Sequence, residues 1–153
     1  MSAPTTQHSY TIKEAAALTG LPASTLRYYE SIGVIAPVSR GASSKHRVYD
    51  EDDLDQLMWV ACLAATGMSV SDMRQYVANG HLGPLAAGDQ IELLAEQDRR
   101  LALESERLAT RQRYVRLKID YWRAVQEGDS VRAESLSTEA RALADELKQV
   151  RKQ

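Results

Sequence analysis

The chain has 153 residues, of which 44% are hydrophobic and 26% charged, with eight glycines, four prolines and a net charge of −2. This length suits one domain or a small domain with an extension, and the composition is that of a helix-rich globular protein. No apolar run approaches the roughly 18 residues of a membrane span, no signal-peptide pattern opens the chain, and the overall charge gives no general pull toward nucleic acid.

Residues 1–9 are polar and unpatterned and are expected to be a disordered tail. Thr11 and Glu14 form a capping box, followed by Ala15–Leu18 and a stop at Gly20. Pro22 opens a second helix, Ala23–Ser31, which Gly33 ends. The gap of about four residues between the two is helix-turn-helix spacing. "VSRGASSKHRVY" (Val38–Tyr49) reads as a hairpin around a Gly/Ser turn. Asp50 caps a third helix running to about Thr66, with Glu51, Asp52 and Asp53 suited to the positive end of its dipole. Ser69 and Asp72 open a short fourth helix that is expected to end near Asn79-Gly80. "HLGPLAAGD" (residues 81–89) reads as a linker, so residues 10–80 form one domain.

Residues 90–126 read as one long helix. Leu94, Leu101, Leu108, Val115 and Trp122 recur every seven residues, while Gln97, Glu104, Arg111 and Lys118 occupy the other seam position. The stretch 94–122 spans about 42 Å as a helix. Gly128 breaks it, and residues 127–153 read as one more helix or a tail. No sequence-local helix of equal length covers the stripe, so a second copy is the expected cover. Its seam would be antiparallel and centred near Leu108, with Glu104 and Arg111 pairing across it.

Chemistry concentrates in one basic cluster: Arg27, Arg40, Lys45, His46 and Arg47, in an otherwise acidic chain. "TLRYYE" sets Arg27 beside Tyr28, a cation and a hydroxyl that suit phosphates and base edges. A hairpin with Lys45 and Arg47 near its tip suits the wing of a winged helix, laid along a sugar-phosphate backbone. Cys62, His8, His46 and His81 show no metal-ligand spacing. No catalytic constellation and no cofactor site is visible.

Cys62 is the single cysteine, which excludes an internal disulfide and fits a reducing, cytoplasmic setting. On a helical wheel Leu54, Leu57, Met58, Ala61 and Ala65 share one face. Cys62 lies about 80° from the centre of that face, and Trp59 and Leu63 lie on the far side. The helix is therefore expected to be sandwiched. None of the neighbours within a turn is cationic, so sequence alone supplies nothing to activate the thiol.

"YTIKEAAALTGLPASTLRYYESIGVIAPVSR" followed by "HRVYDEDDLDQL" resembles the MerR family of bacterial transcription regulators over about Tyr10–Val77. The resemblance implies a mainly α fold: a winged helix-turn-helix DNA-binding domain followed by a long antiparallel dimerisation helix. It implies a homodimer on a palindromic site in double-stranded promoter DNA. That dimer twists an over-long promoter spacer so that RNA polymerase reads both elements. Thr11 would contact phosphate; Ser24, Thr25, Arg27 and Tyr28 would lie on the recognition helix; Arg47 and Tyr49 would belong to the first wing, with Arg40 and Lys45 beside them; Arg74 would serve a second wing. Pro22 stands where the family often has a Ser cap, and Lys45-His46 where it often has Gly-Tyr, which touches the fine wing contacts.

Metal sensors of the family carry cysteines at and beyond the long helix, drug-binding members carry a large C-terminal domain, and iron-sulfur members carry several cysteines; this chain has none of these. "ACLAATGMS" resembles the lone-cysteine context of the AdhR/NmlR group, which responds to aldehydes and thiol stress, with Cys62 as the sensor. The alternative keeps DNA binding but takes a small apolar ligand near Trp59, Tyr76, Tyr114, Tyr121 and Trp122, with Cys62 structural. A coiled-coil interaction protein without a DNA role is the third reading, and the Arg27/Arg47 cluster argues against it.

Overall fold

The structure, a computed structural model, describes residues 8–151, the last by its backbone alone. Most of the expected N-terminal tail, residues 1–7, lies outside the described residues. The chain forms two compact units, one up to Leu94 and one from Ala95.

In the first unit the helices that begin at Ile12, Glu51 and Val70 each start where a side chain satisfies an orphan amide. Thr11 caps α1 (Ile12–Thr19): its hydroxyl accepts from the Glu14 amide at 3.1 Å, and the Glu14 carboxylate accepts from the Thr11 amide at 3.2 Å. Helix α2 (Ala23–Ser31) enters through Pro22 with no side-chain cap. Strands β1 (Ser39–Arg40) and β2 (Arg47–Val48) pair antiparallel, Ser39 opposite Val48 and Arg40 opposite Arg47. Just past β2, Tyr49 exchanges both backbone hydrogen bonds with Tyr10, at 2.8 and 2.9 Å. Asp50 and Asp53 form the capping box of α3 (Glu51–Ala65), and Ser69 caps α4 (Val70–His81). The core gathers Ala15, Leu26, Tyr29, Val34, Tyr49, Leu57, Val60 and Met73, among others, from every one of these segments except the short hairpin strands.

Two expectations are corrected. Residues 81–89 are not a linker: α4 runs to His81, a 3-10 turn covers Gly83–Ala86, and α5 (Ala87–Gln126) begins directly after it. Asn79 does not stop α4, because its amide is used sideways. Gln75 donates to it at 2.7 Å, it donates to Gln90 at 3.1 Å, and Gln90 donates to the Tyr76 carbonyl at 2.9 Å. This part-buried amide chain, centred on the buried Asn79, ties α4 to the start of α5. The buried face of α3 is also rotated from the expected one. Leu54, Leu57 and Val60 are buried and Leu63 and Ala64 pack beside them, whereas Met58, Trp59, Cys62 and Ala65 are exposed. Among the described residues of the first unit the helix is covered on one side and is not sandwiched.

Helix α5 (Ala87–Gln126) continues into the second unit and ends at a turn where Gly128 takes φ 73°, a left-handed conformation that favours glycine. Helix α6 (Ser130–Arg151) then folds back: Leu117 and Tyr114 pack against Leu136, Ala140 and Leu143. An exposed ion pair, Arg113–Glu139 at 3.7 Å, lies along the same contact. At about 100° per residue, Leu117 and Ala124 lie across the helix from Val115. Helix α6 therefore covers the side of α5 away from the heptad stripe, and Leu94, Leu101, Leu108, Val115 and Trp122 all remain exposed. Among the described residues no helix is long and apolar enough to cross a membrane.

Candidate DNA interface

Helix α2 buries Leu26 and Tyr29 and turns Ser24, Arg27 and Tyr28 outward, with Thr25 half-buried between the two faces. The split follows from helical spacing, since 26 and 29 share one side and 24, 27 and 28 another. The exposed side carries a guanidinium, a phenol and a hydroxyl with no apolar side chain among them.

The hairpin adds its own cations. Arg40 and Lys45 are exposed, and the Arg40 guanidinium donates to the Lys45 carbonyl at 3.3 Å, bracing the turn. Lys45 adopts φ 57°, the single positive value among the described non-glycine residues. Thr11 is exposed at the N-terminus of α1, where its hydroxyl keeps a proton free to donate while accepting from Glu14. Arg74 is exposed on α4. A helix N-terminus, hydroxyls and arginines are the groups that contact phosphate oxygens in duplex DNA.

Two expected site residues are placed differently. Tyr49 is fully buried, so its ring offers no surface to DNA. Its backbone is pinned to Tyr10 and its side chain points into the core. Burial pushes its phenol above the ordinary value, partly offset by the Arg47 guanidinium, and the hydroxyl has no partner among the described residues. Arg47 is not a free cation: its Nε lies 2.7 Å from the Glu30 carboxylate, and both side chains are largely covered. Glu30 is the residue that sequence reasoning passed over. The usable signal was an acid set one turn after Arg27, which leaves the helix that carries the recognition candidates with no net charge.

Cys62 lies on the exposed side of α3 with Met58 and Trp59, and Trp59 stacks edge-on against Tyr76 at 5.5 Å. In the second unit Tyr114 and Trp122 line an open cavity of about 730 Å³ with Val115, Lys118 and Ile119. Of the aromatics expected at a ligand site, Trp59 and Tyr76 meet within the first unit, Tyr114 and Trp122 line this cavity of the second, and Tyr121 lines a neighbouring one. Among the described residues no group of three or more His, Cys, Asp or Glu side chains could hold a metal ion.

Residues 10–80 match the model of the MerR HTH family regulatory proteins. An HTH-type transcriptional regulator of Pseudomonas aeruginosa PAO1, PA4778, is 33% identical over 99 residues, which cover 65% of this chain and 74% of that protein. The chain belongs to the MerR family. It is also 34% identical over 90 residues to the HTH-type transcriptional regulator AdhR of Bacillus subtilis, covering 59% of this chain and 64% of AdhR. It spans 51–64% of the length of the first curated relatives it matches. Its fold resembles that of HiNmlR, a MerR family regulator lacking the sensor domain, whose crystal structure is bound to promoter DNA. The TM-score is 0.65 at 24% identity, over 84% of this chain and 96% of that one. Within the MerR frame, α1 and α2 are the helix-turn-helix and the β1–β2 hairpin is the wing.

Proposed function

We propose that the chain is a DNA-binding transcriptional regulator that sits as a homodimer on a palindromic promoter site and remodels that site for RNA polymerase when Cys62 reacts with an electrophile. The observation that carries the DNA-binding part is the outward grouping of Ser24, Arg27 and Tyr28 on α2, beside a hairpin with Arg40 and Lys45 exposed. Thr11, Thr25 and Arg74 belong to the same proposed surface; Tyr49 does not, and Arg47 serves it through Glu30. HiNmlR, of the same fold, is bound to promoter DNA.

The dimer part rests on the exposed heptad stripe of α5, which α6 leaves uncovered. The sensing part rests on the exposure of the Cys62 sulfur and on the likeness to AdhR. An exposed thiol reaches a reagent without local unfolding, which a buried one cannot. The second reading, a small apolar ligand with Cys62 inert, draws on the cavity lined by Tyr114 and Trp122.

The test is transcription from the chain's own promoter with wild type and Cys62→Ser, with and without an aldehyde. The thiol reading predicts that the serine variant loses at least most of the response while keeping DNA binding. An equal response in both proteins ends that reading and favours the ligand.

A further inference from the structure

Glu30 sits near the end of α2, on the helix that presents Arg27 and Tyr28. Its carboxylate meets both sides of the hairpin. One oxygen accepts from Arg47 Nε in β2 at 2.7 Å, and the other accepts from the amide of Val38, the residue before β1, at 3.4 Å. The side chains of Arg47 and Glu30 retain only 19% and 12% exposure. Each strand is two residues long, and a two-stranded hairpin of that size does not hold its own position in water. Something must fix it to the helix, and this carboxylate does so at two points.

Charge alone argues against an acid here. A carboxylate beside a surface that meets phosphates repels them, and one that neutralises Arg47 removes a cation from the tally of phosphate contacts. The geometry offers the compensating gain. We propose that Glu30 is a positioning residue for DNA binding: its carboxylate locks the wing to the recognition helix through Arg47 and Val38, and Arg47 acts as its partner and not as a phosphate contact.

The inference rests on the DNA-binding reading, and its test separates the two. A duplex is first selected by the wild-type protein from a random double-stranded pool, then labelled and titrated by fluorescence anisotropy at several salt concentrations. Glu30→Gln, Arg47→Met, the double variant and Arg47→Lys are compared. Positioning predicts that Glu30→Gln and Arg47→Met each weaken binding about tenfold, the scale of a lost charged hydrogen bond. The double variant should be no weaker than the worse single one. Arg47→Lys, which keeps the charge but loses the Nε–H, should be weakened as well, and Arg47→Met should keep the wild-type salt slope.

Glu30→Gln binding as tightly as wild type or tighter, as charge alone requires, would overturn the proposal. So would a slope flattened by about one unit in Arg47→Met, the mark of a lost phosphate contact. Failure of the wild type to enrich any duplex would overturn the DNA-binding reading itself.

Discussion

The Tyr49 hydroxyl is buried without a hydrogen-bond partner among the described residues. A desolvated hydroxyl of this kind costs free energy that the ring's packing must offset. Tyr49→Phe keeps the packing and removes the orphan, so it is expected to leave thermal stability unchanged or raise it by up to about 1 kcal/mol, with DNA affinity unaltered. A clear drop in the melting temperature would show that the hydroxyl has a bound partner. Neighbouring residues explain why part of this surface was legible and part was not. Arg27 and Tyr28 could be placed outward from helical period alone. Tyr49 could not, because a two-residue strand gives no alternation to read, and its burial is set by pairing with Tyr10, thirty-nine positions earlier in the chain. Glu30 escaped for the same reason, since its partner is seventeen residues away.

At the scale of elements, caps were readable and phases were not. Thr11, Asp50 and Ser69 each start a helix at the expected place, because capping is a local hydrogen bond. In α3, by contrast, nearly every position from Leu57 to Ala65 is apolar, so no polar sector fixes which face turns inward. Packing against the rest of the first unit decides it, and Cys62 is left outside. The α3 cap also carries a pH signature. Asp53 titrates above the ordinary carboxylate value, chiefly because burial disfavours its charge, with the Asp50 amide opposing that shift. A carboxyl whose folded pKa is raised binds its proton more tightly when folded, so its contribution favours the fold at acid pH and is lost as pH rises through the raised value. Asp53→Asn keeps an acceptor for the Asp50 amide and should flatten this part of the stability profile, where pH rises past the ordinary aspartate range, read by thermal unfolding against pH. An unchanged profile would assign the dependence to other groups.

At the scale of the whole molecule, the seven-residue period of α5 was readable from sequence, and its exposed stripe stands where that period put it. The sequence offered no helix of equal length to cover that stripe, and the shorter α6 lies on another side of α5. Helix α6 packs on the opposite side through Leu136, Ala140 and Leu143, and the spacing of Ala133, Leu136, Ala140, Leu143, Leu147 and Val150 by threes and fours was the signal for it in the sequence. Leu108→Glu places a charge at the centre of the proposed seam and should convert the dimer to monomer in sedimentation, with helix content retained. Changing Glu104 and Arg111 together to Lys should weaken the dimer less than that. A dimer untouched by Leu108→Glu would move the interface elsewhere.

The uncovered stripe of α5 has a consequence in mixed populations. A chain whose recognition helix has lost Arg27 still carries Leu94, Leu101, Leu108, Val115 and Trp122, so under the proposed pairing it enters dimers with intact copies. Where both forms are made in equal amounts, most dimers contain at least one defective reading head, and the defect should behave as dominant. A chain that has lost the stripe as well should be harmless to its neighbours.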